Sequence, residues 1–350
     1  MKQRRGARYA QHTAGFTLVE LLIVVALLGT LLGMGLGLFA RLDLGDRVVR
    51  TQVVGQLRAA RNFAVAREAS AVVVLDHDQR RVQASGLAVV GTWHFEEATL
   101  AGAFGHLPSA AEGRLIDDGF QGKALDFTGL PDGSHAAWPV HTDPAWDPRD
   151  GFSVALAVKR TGQLGGAGGG GSVLRLGDSL GLEIEENGVL RLWFAPELVS
   201  EDKTVRKGGR VFVETEPGAV PAGRWCTLDA RYDRVRMEVA IDGVVRARLA
   251  EDAAVWRAEG PLRLCGANAP FQGAVDRLVV ACAVREDGYQ LPPDVRFSKD
   301  TPRLVRFAAG GTLDRELHAE PVVITLLRDD GPNGPIPPEV ITVQLSGAVE

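Results

Sequence analysis

Glu20 is the one charged residue between Phe16 and Ala40, in a run that would extend about 37 Å as a helix. An acid inside such a run costs about 2.5–3.5 kcal/mol on insertion scales, so Glu20 calls for a cation, and its neighbours supply none. A cut between Gly15 and Phe16 would create an α-amine at the depth needed to pair with Glu20 of a second copy, which is assembly chemistry. Glu183 and Glu185 are a second candidate pair. Strand alternation puts both on one face, where two carboxylates could flank a glycosidic bond. The hydrolase pattern expects a further acid on that strand, however, and Asn187-Gly188 turns the chain away first, so a hairpin is the preferred reading and no catalytic residue is assigned. Asp132, Asp143, Asp147 and Asp150 crowd one loop region with the hard oxygens calcium takes, though their spacing fits no ligand motif. His135 and His141 do not turn that loop into a zinc site, since no cysteine lies nearby. Trp138, Trp146, Trp193 and Trp256 could stack on sugar rings from a sheet face, or pack inside a sandwich. Cys226, Cys265 and Cys282 permit at most one intrachain disulfide in an oxidising compartment; no neighbouring motif marks a nucleophile, so buried, inert thiols are expected.

The elements that must position these groups follow from length and pattern. At 350 residues, 45% hydrophobic and 24% charged, the chain is of ordinary globular composition and long enough for at least two folded units. A net charge of −5 leaves no bulk basic field for nucleic acid. Lys2, Arg4, Arg5 and Arg8 precede the apolar run and Asp43 and Asp46 follow it, which would hold the N-terminus in the cytoplasm and the remainder outside. Beyond the run, Val49, Val53, Leu57, Ala60 and Ala64 keep a helical period to about Ala69, and the arginines between them read as a solvated face. After that the 42 Gly and 18 Pro punctuate short alternating runs, so strands are expected, with tight hairpin turns at Asn187-Gly188 and Asp242-Gly243. Gly165 to Ser172 lacks a phosphate-cradling signature and reads as a strand connection.

Two resemblances give these elements a frame. Gly15-Phe16-Thr17-Leu18-Val19-Glu20 and the apolar residues after it closely resemble the signal of type IV pilins and type II secretion pseudopilins. The match implies cleavage after Gly15 by a prepilin peptidase, N-methylation of Phe16 and Glu20 as the assembly carboxylate. Arg61 to Glu68, leading into a predicted hairpin at Ala71–Leu75 and Arg81–Ala84, resembles H-type minor pseudopilins and their FimT-like relatives. Gly91-Thr92-Trp93, Phe120 to Gly129, Phe152 to Lys159 and Phe271 to Val280 resemble bacterial laminin G-like domains with a concanavalin-like jelly roll. The expected fold is therefore a pilin-like α+β frame, a long N-terminal helix plus a small antiparallel sheet, interrupted by an all-β jelly-roll sandwich. Residues 1–15 would be the leader, 16–40 the transmembrane part, 41–85 and 288–350 the frame, with strands at Leu304–Phe307, Val322–Leu327 and Val340–Leu345, and 86–287 the sandwich. The implied role is that of a non-enzymatic minor pseudopilin at a bacterial inner membrane, whose partners are other pilins, the peptidase, and a glycan or secreted protein. A surface adhesin and a FimT-like DNA-uptake pilin are the alternatives, the latter disfavoured by the acidic end at Glu350. No cofactor is expected, and calcium is the one ion the loop acids would take.

Overall fold

The computed structural model describes residues 18–41, 44–131, 133–161, 171–200, 202, 204–257, 259–266, 271–329 and 336–350; for 20, 31–41 and 44–47 it describes the backbone alone. Among the described residues, two helices, α1 (Leu18–Arg41) and α2 (Leu44–Ala66), precede strands, turns and two short 3-10 helices. Contacts divide it into two units, 1–51 and 52–350.

In the first unit, α1 follows the sequence LVELLIVVALLGTLLGMGLGLFAR, and its described apolar side chains from Leu18 to Leu28 are largely exposed. Among the described residues no helix is long and apolar enough to cross a membrane. The described side chains of α1 end at Thr30, short of the roughly 20 residues a span needs, and the rest of the expected transmembrane run lies outside them.

The second unit is built on the other period. From Gln52 onward, α2 buries Val53, Leu57, Ala60 and Ala64, spaced four, three and four apart on one face. That face lies on the strand Arg81–Trp93: Phe63 fills the place a side chain at Gly86 would take, and Gln56 accepts from the Ala84 N–H at 2.8 Å while donating to the Asp287 carbonyl at 2.8 Å. The strand is continuous through 86, the boundary expected from sequence. Its first half pairs with Ala71–Asp76 and its second half with Gly273–Arg285. One eleven-stranded antiparallel sheet thus runs from Val244–Ala250 through Arg236–Ile241, Trp225–Tyr232, Phe152–Arg160, Gly273–Arg285 and Arg81–Trp93 to Ala71–Asp76 and Leu304–Phe307. Of the strands expected at the C-terminal end, Leu304–Phe307 joins this sheet, whereas Val322–Arg328 and Glu339–Val343 form a three-stranded sheet with Val295–Phe297.

A seven-stranded sheet covers the large one, in the order Val211–Glu214, Leu190–Phe194, Leu180–Ile184, Gly171–Leu176, Leu262–Leu264, Ala136–Trp138, Ala110–Ala111. The two sheets enclose a single core in which Phe152, Val154, Leu156 and Val158 of one meet Leu180, Leu182, Leu190 and Phe194 of the other, every second residue of each strand. This is a β-sandwich, and it corrects part of the tryptophan reading. Trp138 and Trp146 are enclosed in the core beside Trp93, at ring separations of 5.0 and 6.0 Å from it, and Trp138 Nε1 donates to the Leu100 carbonyl at 3.0 Å. Neither can meet a ligand. Trp256 is half-buried, its backbone N–H bonded to Ala195. One hairpin is as expected: Asp242 and Gly243 both have positive φ, 51° and 76°, as a tight primed turn demands. The other differs, because the Gly188 N–H returns to the Glu185 carbonyl and Gly188, at φ 81°, ends a four-residue turn.

A network of buried charge ties the strand Leu304–Phe307 to the sandwich. Arg306 is 2% exposed between Asp233 and Asp314 and pairs with both. Asp233 also accepts from Ser70, at 3.0 Å, and Arg236 extends the network to Glu316.

Candidate functional site

The residues between the core positions of the seven-stranded sheet form its outer face. Register places Phe212, Trp193, Gly181, Arg175, Arg263 and Ala137 side by side in one row across the strands. The adjacent row is Glu214, Arg191 and Glu183. Of the candidate tryptophans, register puts Trp193 on this face, and it is covered. Its indole lies flat against Gly181, where a Cβ would come within 2.7 Å of the ring, and the guanidinium of Arg210 stacks on it at 3.8 Å with Arg175 at 5.3 Å. Its Nε1 donates to Glu183 at 2.8 Å.

Glu183 and Glu185 do share a face, and Arg191 bridges them, at 3.9 Å from Glu183 and 2.5 Å from Glu185, while also pairing with Glu214. Both carboxylates are thereby engaged with a guanidinium, as acceptors of charge-assisted contacts within the sheet. A cavity of about 740 Å³ opens over them, lined also by Ser172, Arg175, Arg210 and Gly266. A second, of about 390 Å³, continues past Arg175 and Gly266 to Arg263, Asp178 and Glu259. The two form one groove with mixed charge on its floor.

The loop acids are dispersed. Asp143 caps the turn at Pro144–Trp146 by accepting from the Ala145 N–H, Asp147 accepts from the Arg149 N–H and faces its guanidinium, and Asp150 is held by Arg234 and Arg285. Asp132 lies outside the described residues, and among those described no group of three or more His, Cys, Asp or Glu could hold a metal ion. The three cysteines are free and buried; desolvation pushes the Cys265 thiol up to about 11 and raises Cys226 and Cys282 as well, so none is poised as a thiolate. Of the residues given assembly roles, Gly15 and Phe16 lie outside the described residues, and Glu20 sits in the first turn of α1 with its side chain outside them. Residues 162–170 of the glycine-rich connection also lie outside, and the strand Gly171–Leu176 follows. Arg175, Arg210 and Arg263 were not singled out in the sequence. Two carried a readable signal, since Leu174-Arg175-Leu176 and Leu262-Arg263-Leu264 each set a base between two core leucines.

Residues 11–36 match the family model for the prokaryotic N-terminal methylation motif. The chain therefore carries a prepilin-type motif, which implies a membrane-anchored N-terminus, processing by prepilin peptidase and assembly with other pilins. Comparison with curated protein sequences finds no match. Among solved structures, the chain is similar to the binding domain of Paraclostridial Mosquitocidal Protein 1, at 9% identity and TM-score 0.40 over 55% of this chain and 48% of that one. It is similar to domain 4 of AbnA, a GH43 extracellular arabinanase from Geobacillus stearothermophilus solved with arabinotriose, at 18% identity and TM-score 0.39 over 56% and 92%. It is also similar to the binding domain of botulinum neurotoxin serotype D, at 8% identity and TM-score 0.42 over 74% and 71%. The chain spans about half the length of the mosquitocidal domain and of the serotype G neurotoxin binding domain.

Proposed function

We propose that this chain is a minor, pilin-like subunit of a type II secretion or type IV pilus-like assembly, and that its β-sandwich is a non-catalytic recognition head. The observation that carries the reading is the methylation motif at 11–36 running directly into α1. Glu20 is that helix's one acid. In lipid its charge is offset by the α-amine of a processed Phe16 in a neighbouring copy, which fixes the register between adjacent helices. The sandwich is broad for a packed filament, so the filament tip suits it best.

The non-catalytic assignment rests on Arg191. It bridges Glu183 and Glu185, the acids best placed for hydrolysis, and engages both within the sheet, where a hydrolase would keep them free to flank a glycosidic bond. Intact mass spectrometry of the membrane-extracted protein, with and without its cognate prepilin peptidase, tests the assembly role. A chain beginning at methylated Phe16 only with the peptidase is the expected result. A chain still beginning at Met1 in its presence refutes it. Glu20→Gln should leave cleavage intact and reduce incorporation into filaments.

A further inference from the structure

The groove on the outer face of the seven-stranded sheet contains an unusual pairing. Arg263 and Arg175 stand directly opposite each other on neighbouring strands, and the residue on the other side of Arg263 is Ala137. Like charges so placed repel. Acids do not neutralise the pair: among the described residues Arg263 makes no ion pair, and Arg175 reaches only Asp178, at 3.7 Å, whose side chain is 71% exposed. The site carries further unmet hydrogen-bonding capacity. Arg175 Nε is buried with no partner, and so is the Oγ of Ser172, a residue 9% exposed that lines the same groove. A fold that sets two cations face to face, one with no acid and the other with a single exposed one, beside a buried hydroxyl without a partner has left room for an anion.

We infer that Arg175 and Arg263 bind the carboxylate of an acidic saccharide laid along this groove. An arginine fork matches a carboxylate in two parallel hydrogen bonds, and two forks can share it. The remaining lining selects what the carboxylate is attached to. Glu183, Glu185, Glu186 and Glu259 accept hydrogen bonds but repel a chain charged at every unit. A saccharide with a carboxylate on some rings and hydroxyls on all of them satisfies both halves of the groove, whereas a nucleic-acid strand brings a phosphate about every 3.4 Å past these acids. A peptide would need apolar pockets or a free strand edge, and this groove crosses a sheet face. Trp193 stays beneath Arg210 as part of the floor, so binding does not depend on ring stacking. The proposal rests on reading the sandwich as a recognition head and is independent of how the N-terminus is processed.

Calorimetry on the detergent-solubilised full chain tests it, with a tetrasaccharide of one glucuronate and three neutral rings as probe, its carboxyl-reduced counterpart beside it, and trigalacturonate, charged on every ring, as the discriminating control. The tetrasaccharide should bind, and more tightly than trigalacturonate, its reduced form should not, and Arg263→Gln and Arg175→Gln should each weaken binding about tenfold or more. Without ligand, Arg263→Gln should melt about 1–2 °C higher than the parent chain, because it removes the repulsion; that shift also shows the variant to be folded. Absence of binding by the tetrasaccharide, equal binding of its reduced form, or tighter binding of trigalacturonate, single-stranded DNA or a glutamate-rich peptide overturns the assignment. The N-terminal mass of the same sample is read separately, so failure here leaves the assembly role standing, and the reverse.

Discussion

Arg306 lies 2% exposed between Asp233 and Asp314, whereas Arg263 lies exposed across from Arg175 with no acid opposite. Both arginines are on short strands of the same unit, and both form part of a charged row. The first is fully compensated and joins segments far apart in sequence: Ser70 and Asp314 on one side of the network, Asp233 and Arg236 on the other. The second is uncompensated and joins nothing. Burial explains the difference. A charge taken out of water must be paired on the spot or the fold does not form, while a charge left at a wet surface can repel its neighbour at a cost of less than about 1 kcal/mol and wait for a ligand. The presence or absence of facing acids therefore separates a structural arginine such as Arg306 from one free for a ligand, such as Arg263, more sharply than position in the sequence does.

The largest expected effect tests the compensated cluster. Arg306→Met removes the cation and leaves two carboxylates facing each other in a buried site, so unfolding free energy should drop by about 3–5 kcal/mol, read by denaturant titration. An effect under about 1 kcal/mol would place Arg306 among surface charges and dissolve the contrast. A triple replacement of Arg306, Asp233 and Asp314 by apolar residues of similar volume should recover much of the loss, as is usual when an entire buried network is exchanged.

A smaller effect comes from the residue behind Arg306. His318 Nε2 accepts the Arg306 backbone N–H at 3.1 Å, a role open only to the neutral ring. Burial, and to a lesser extent Arg306, hold its pKa below the usual histidine value against the opposing pull of Asp314. With the folded pKa depressed, the unfolded chain takes the proton first as pH falls below about 6.5, and stability declines through that window. Melting temperature should therefore decrease between pH 7 and 5, and His318→Gln, which keeps an acceptor without the titration, should flatten that part of the profile. Uronate binding by Arg175 and Arg263 should not follow the histidine, since His318 lines a different cavity from theirs.

How much of this was legible in the sequence differs between the two clusters and the motif. The prepilin-type motif at 11–36 was readable because a lone acid in an apolar run, Glu20, is an anomaly visible in one dimension. The strands around Asp242-Gly243 were readable because both turn residues tolerate positive φ. Trp138 and Trp193 were not separable as core and surface by residue type. The separation lies in parity: Leu190, Leu192 and Phe194 take the core side, which sends Trp193 to the other face. The pairing of Arg175 with Arg263 had no local signal, since the register between distant strands decides it. For the same reason the continuity of Arg81–Trp93 through Gly86 was hidden, because the hairpin and the sandwich each accounted for half of that strand.

The smallest expected effect sharpens the contrast from the ligand side. Arg210 is half exposed, stacks on Trp193 at 3.8 Å and approaches Glu183 at 3.8 Å. An exposed cation–π contact contributes about 0.5–1 kcal/mol and a solvated ion pair no more, so Arg210→Ala should cost at most about 1 kcal/mol, against several for Arg306→Met. Its consequence is optical. Stripped of its cover, the Trp193 indole meets water, and emission should move to longer wavelength with greater acrylamide quenching, while Trp138 and Trp146 stay shielded in the core. Uronate affinity should change little, because Arg210 lies at the Trp193 end of the groove and Arg263 at the other. A large loss of binding in Arg210→Ala would shift the recognition centre from the facing arginines to the capped indole. An unchanged spectrum would mean that the indole stays buried on Gly181 without its arginine lid.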